Sequence, residues 1–120
     1  ILEEQKDWFG VVETSPYMNL VSYARGVERQ GHVIPFPAAT HIDRTARVQT
    51  VNQDQNLKYY KLLNEVKRRE GIGVLLNTSY NLKDQTITMT PKQAIERYLS
   101  SDIDFLVINN FLIKKHATKR

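Results

Sequence analysis

Val74-Leu75-Leu76-Asn77-Thr78-Ser79-Tyr80-Asn81 is an apolar run that stops abruptly in a cluster of small hydrogen-bonding side chains. Such a stretch reads as a strand over residues 74–76 that presents polar groups beyond its carboxyl end, where ligand crevices open in α/β sheets. An upstream segment, Thr40-His41-Ile42-Asp43-Arg44-Thr45-Ala46-Arg47-Val48-Gln49-Thr50, is equally polar and also supplies cations.

Strands and helices alternate around these two segments. Leu2, Trp8 and Phe9 lie among Glu3, Glu4, Lys6 and Asp7, which suits a short amphipathic helix ended near Gly10. After the Ser15-Pro16 break, residues 17–23 read as a buried strand, and the glycines, prolines and mixed charges of residues 25–37 read as a loop. Residues 56–70 form the clearest helix: Leu57, Tyr60, Leu63 and Val66 recur at helical spacing, and Lys67, Arg68 and Arg69 crowd the last turn before Gly71. A second helix starts where Thr90 precedes Pro91 and Gln93 follows, an N-cap, N1 proline and capping-box partner in register; Ala94, Ile95, Tyr98 and Leu99 form its apolar stripe. Residues 86–89, 105–108 and 111–113 add short strands. The expected fold class is therefore α/β: a single-domain twisted mixed sheet with flanking helices over residues 1–113, followed by a frayed basic tail over residues 114–120.

Composition narrows the function. In a chain of 120 residues with 41% hydrophobic content, one core is expected, since small domains bury only about 60–70% of the surface of their unfolded chains. A net charge of +4 and a pI near 9.4 favour anions mildly, and phosphate-bearing small molecules fit that charge as well as RNA would. The absence of cysteine excludes disulfides and thiolate metal sites. No apolar run approaches the ~20 residues of a membrane span and no signal-peptide pattern opens the chain, so a cytoplasmic protein with no membrane partner is expected. A start at Ile1 without Met suggests a piece of a longer polypeptide.

Candidate chemistry concentrates in the two polar segments. Arg47 offers a rigid fork of donors suited to phosphate or carboxylate oxygens, or else it pairs with Asp43 or a nearby acid and pins its loop. Asn77, Thr78, Ser79 and Asn81 supply donors and acceptors for a nucleotide or phosphate, or else form turns that satisfy their own backbone. His41, beside Asp43, is a base, a metal ligand or a hydrogen-bonded spacer, the last being preferred. His32 and His116 make no metal-ligand spacing with it, so no protein-held metal is expected. The Lys67-Arg68-Arg69 run reads as helix-end cations in solvent rather than a nucleic-acid surface.

The order of Ser15-Pro16-Tyr17-Met18, the 37–51 segment Pro37-Ala38-Ala39 through Val51, the 74–81 stretch and Thr90-Pro91 opening a helix resembles the carboxyl-terminal domain of the carbamoyltransferase family that includes nodulation-protein and antibiotic O-carbamoyltransferases. That resemblance implies a YrdC-like fold in which carbamoyl phosphate and ATP, with Mg2+ on the nucleotide, give carbamoyl-adenylate. A separate amino-terminal ASKHA-like domain, holding a metal through histidines, would pass the carbamoyl group to a hydroxyl acceptor. Carried over by position, Arg47 would grip the phosphate or carbamoyl moiety, and Asn77 and Ser79 would be polar ligands, with Thr78, Asn81, His41 and Thr45 beside them.

The chain departs from the family pattern at two places. Asp-Gly-Thr-Ala-Arg is here Asp43-Arg44-Thr45-Ala46-Arg47, and the Gly-Glu-Pro that follows the Asn-x-Ser motif is here Asp84-Gln85-Thr86. A basic cleft segment of the family is expected upstream of Ile1, so the isolated chain is expected to fold at least partly and not to complete carbamoyl transfer. The alternative is a non-catalytic nucleotide- or anion-binding accessory domain that keeps the fold only.

Overall fold

The computed structural model describes residues 1–11, 13–25, 27–29, 32–34 and 36–115. The chain divides into two compact units, Ile1–Leu76 and Asn77–Arg120, and the boundary falls inside the 74–81 stretch. Helices and short strands are both present, so the chain is of the α/β class. Among the described residues the strands pair two by two, as three two-stranded antiparallel sheets, where the sequence reading expected a mixed sheet.

In the first unit a 3-10 helix, Glu3–Phe9, ends at Gly10, whose φ of 58° lets its N–H turn back to the Asp7 carbonyl. Phe9 is buried with Ile1, Val11, Ala46 and Val48, and its ring stacks on Phe36 with centroids 4.8 Å apart. Leu2 joins Val51 and Leu63 in an adjoining cluster and forms an isolated parallel bridge with Val51. Ser15 is buried and tied to the facing segment: its N–H donates to Thr50 Oγ1 and its hydroxyl to the Val48 carbonyl, both at 2.8 Å. The serine at the predicted break is thus a fixed point of the core.

Strands β1 (Val21–Tyr23) and β4 (Thr45–Arg47) pair antiparallel, with Val21 opposite Arg47 and Tyr23 opposite Thr45. The predicted buried strand over 17–23 is therefore shorter, and Val21 and Tyr23 are 61% and 68% exposed. Met18, with φ 55°, takes a left-handed conformation that an extended strand cannot include. The predicted loop over 25–37 is corrected as well: β2 (Val27–Arg29) and β3 (His32–Ile34) form an antiparallel ladder. Short β-forming runs lie between the punctuating residues, of which Gly26, Gly31 and Pro35 lie outside the described residues.

Helix α1 (Leu57–Glu70) matches its prediction. The Asn56 side chain accepts from the Tyr59 N–H, and Gly71, with φ 76°, closes the other end. Leu63 is buried, whereas Leu57 is 46% exposed. Glu65 meets both Arg68 and Arg69 at 2.7 Å, and these two guanidiniums hold its carboxyl down at about 2. Lys67 pairs with Glu4 at 3.4 Å, so the basic run of the last turn meets carboxylates of its own chain.

The predicted strand over 74–76 is not formed: among the described residues these positions have no ladder partner. The segment is fixed just upstream instead. Gly73 donates its N–H to the Gln5 side-chain oxygen at 2.8 Å and accepts from the Leu2 N–H at 3.1 Å. A Cβ at Gly73 would lie 2.5 Å from Leu2 Cδ1 and 2.6 Å from Gln5 Oε1. Gly73→Ala is therefore expected to destabilise the chain by about 1–3 kcal/mol through overpacking, read as a lower urea midpoint at unchanged slope; an unchanged midpoint contradicts this packing.

In the second unit, α2 (Pro91–Leu99) begins as predicted: Thr90 Oγ1 accepts from the Gln93 N–H. The Gln93 side chain reaches back one residue beyond the cap, accepting from the Met89 N–H at 3.0 Å. Ala94 and Tyr98 are buried with Leu106, while Ile95 and Leu99 are 38% and 64% exposed. Strands β5 (Phe105–Ile108) and β6 (Phe111–Lys114) form a hairpin, turned at Asn109 with φ 54°. Residues 86–89, predicted as a strand, carry none; the Thr88 hydroxyl is drawn into side-chain bonding with Tyr80 and Arg97. Of the expected frayed tail, Lys114 and Lys115 are held: their ammonium groups lie over the rings of Phe105 and Tyr98 at 5.6 and 4.9 Å. Residues 116–120, with His116, lie outside the described residues.

Candidate functional site

Strand β4 alternates across its sheet. Ala46 and Val48 are buried, which sends Thr45 and Arg47 to the other face. Arg47 is exposed, and among the described residues its guanidinium meets no carboxylate or other acceptor. Asp43, the acid that could have paired with it, is occupied locally. One carboxylate oxygen accepts from the Thr45 N–H at 3.0 Å and the Thr45 hydroxyl at 2.7 Å. Those two bonds, with a smaller contribution from the nearby His41, hold the Asp43 carboxyl below the usual carboxylate range.

The tip of this turn is closed by main-chain bonds. His41 donates to the Thr45 carbonyl at 2.8 Å, and Arg44 donates to the His41 carbonyl at 2.9 Å. Arg44 has φ 64°, a left-handed conformation that favours glycine. Asp84, with φ 63°, occupies the same backbone region in the turn closed by the Gln85 N–H on the Leu82 carbonyl at 3.1 Å. The two places where the sequence departs from the Gly-bearing family pattern thus keep a backbone suited to glycine. Arg44→Gly is accordingly expected to stabilise the chain by roughly 0.5–1 kcal/mol, the relief of left-handed strain less the added freedom of the unfolded state. A denaturation midpoint that falls on this substitution would contradict the turn geometry.

The second polar segment belongs to the other unit. Asn77, Thr78 and Ser79 are exposed. The Ser79 hydroxyl bonds to Asn81 Oδ1, and the Asn81 amide donates to the Gln85 carbonyl at 3.1 Å. Tyr80, with φ 47°, is fastened to α2 at both ends. Its phenol donates to the Ala94 carbonyl at 2.8 Å, and its own carbonyl accepts from the Thr88 hydroxyl and, at 3.3 Å, from Arg97. Beside this loop lies a cleft of about 280 Å3, lined by Thr78, Ser79, Tyr80, Asn81, Arg97 and Ser101 among others. Asn77 adjoins the lining residues in sequence and is not one of them.

Three of the predicted residues, Thr78, Ser79 and Asn81, therefore share one cleft, and His41, Thr45 and Arg47 share one turn and strand of the first unit. Arg97 was missed by sequence reasoning, which counted only the apolar stripe of α2. A signal was available: Gln93, Ala94, Ser100 and Ser101, the neighbours three and four residues away, include no acid, whereas Arg68 and Arg69 have Glu65 at those spacings. Among the described residues, no three His, Cys, Asp or Glu side chains gather to hold a metal ion, and no helix is long and apolar enough to cross a membrane.

Comparison with known proteins gives the following. Residues 1–115 match the family described as carbamoyltransferase C-terminus. The nodulation protein NolNO of Sinorhizobium fredii is 36% identical over 98% of this chain and 17% of its own length. The nodulation protein NolO of Bradyrhizobium diazoefficiens is 40% identical over 83% of this chain and 18% of its own. A 3'-hydroxymethylcephem-O-carbamoyltransferase of Amycolatopsis lactamdurans is 44% identical over 40% of this chain and 9% of its own. The chain spans less than a quarter of the length of these curated relatives.

Proposed function

The chain belongs to the carbamoyltransferase C-terminus family, and from that premise we propose that it supplies the ATP and carbamoyl phosphate site of an O-carbamoyltransferase. Carbamoyl phosphate would react with water to give carbamate and phosphate, and carbamate with ATP to give carbamoyl-adenylate and pyrophosphate; AMP would leave when the carbamoyl group is passed on. The carbamoyl group would then pass to a hydroxyl acceptor on a separate amino-terminal ASKHA-like domain of the parent protein, in keeping with relatives several times longer than this chain.

The observation that carries this reading is Arg47: an exposed guanidinium with no carboxylate partner among the described residues, while the adjacent acid is held by Thr45. A cation left uncompensated in this way suits an incoming phosphoryl or carbamoyl oxygen. Ser79, Thr78 and Asn81 add hydroxyl and amide groups in the second unit, with Asn77 beside them, and these groups orient an anion without a nucleophile. In this reading Mg2+ travels on the ATP phosphates, with the chain's own groups binding and orienting them. His41 and Thr45 hold the turn that presents Arg47.

Calorimetric titration of the full-length protein with Mg-ATP and with carbamoyl phosphate tests the proposal. Saturable binding of both, weakened by Arg47→Ala and by Ser79→Ala, is expected. Binding of neither, or affinities indifferent to both substitutions, would contradict it.

A further inference from the structure

We infer that Arg97 is an anion-contacting arginine, binding a phosphoryl oxygen in the cleft built by residues 78–82. The inference rests on the proposed function and names a residue that function does not require. A guanidinium carries five N–H donors. Arg97 commits three of them, all to neutral acceptors: Nε to Gln85 Oε1 at 3.1 Å, and Nη1 to the Tyr80 carbonyl at 3.3 Å and to the Thr88 hydroxyl. Among the described residues nothing accepts from the two donors of Nη2.

Nor is the charge balanced. Glu96, the adjacent acid, faces Lys92 at 3.9 Å, and among the described residues no carboxylate pairs with Arg97. Arg97 is partly buried, so its charge has lost part of its hydration without gaining a counter-ion. The three committed bonds fix the plane of the fork, which leaves Nη2 organised in advance for an oxygen ligand. The Thr78 hydroxyl lines the same cleft and can donate to a further oxygen of a phosphoryl group, while the Ser79 and Asn81 side chains bond one another and the loop's main chain and shape the cleft wall. Phosphoryl oxygens come from either ATP or carbamoyl phosphate, and the test separates them.

Arginine modification by phenylglyoxal in the full-length protein, mapped by peptide mass, reads both arginines without altering the sequence. Modification of Arg97 is expected to fall severalfold in the presence of Mg-ATP or of carbamoyl phosphate, and the ligand that protects identifies the source. Protection of Arg47 without Arg97 overturns this inference and leaves the proposed function standing. Protection of neither overturns both. Arg97→Gln, checked for an unchanged circular-dichroism spectrum, is expected to weaken the protecting ligand about tenfold or more, with Arg97→Lys intermediate. If Arg97→Gln does not fold, Arg97→Lys carries the comparison, and an affinity for both ligands equal to that of the unaltered protein overturns the inference.

Discussion

Tyr98→Ala is expected to cost about 3–5 kcal/mol of stability, the largest effect of any single substitution considered for this chain. Tyr98 is completely buried and packs with Ala94 and Leu106, so truncation removes the ring that joins α2 to the β5–β6 hairpin. The hydroxyl adds to this. It donates to the Asp104 carbonyl at 3.0 Å and accepts from the Lys115 N–H at 2.8 Å. Tyr98→Phe isolates that polar part and is expected to cost about 1–3 kcal/mol, because it strands a main-chain donor and a main-chain acceptor. Urea denaturation of the two variants separates packing from hydrogen bonding. A Phe variant as stable as the parent would contradict the role given to the hydroxyl, and an Ala variant within 1 kcal/mol of it, roughly the average cost of any point mutation, would contradict the packing.

Arg47→Ala is expected to behave in the opposite way, with a large effect on ligand and almost none on the fold. Loss of a charged hydrogen-bond partner corresponds to about 1.5–3 kcal/mol, or roughly 10- to 150-fold in the affinity for the anion it is proposed to contact. Stability should stay within about 0.5 kcal/mol, since the exposed guanidinium has no partner among the described residues and the strand is held by Ala46 and its main-chain pairing with β1. Higher salt should narrow the difference between Arg47 and its variant, because part of the attraction is screened. A variant that loses stability in parallel with affinity would mark Arg47 as structural.

How far these features could be read in the sequence depended on how local their causes are. Helices α1 and α2 were legible because Asn56, Gly71, Thr90 and Pro91 act within a turn of the ends they define. Strands β5 and β6 were legible as two apolar β-forming runs, whereas their pairing with each other as a hairpin was not read. Residues 74–76 and 86–89 have strand composition, but a strand also needs a partner, and that is a non-local fact. The left-handed Met18 that shortens the 17–23 strand leaves no mark in composition. Within the candidate site, the residue types of the two polar segments pointed to anion chemistry. Arg97 was not read, because its meaning lies in what surrounds it: neutral acceptors from Tyr80, Gln85 and Thr88, residues 9 to 17 positions away.

The proposed function turns on Arg47 being an anion-contacting residue rather than a structural one. Titration of the full-length protein and its Arg47→Ala variant with Mg-ATP and with carbamoyl phosphate tests this most directly: affinity for at least one of the two should fall roughly 10- to 150-fold. Affinities equal to the parent's for both ligands would contradict it.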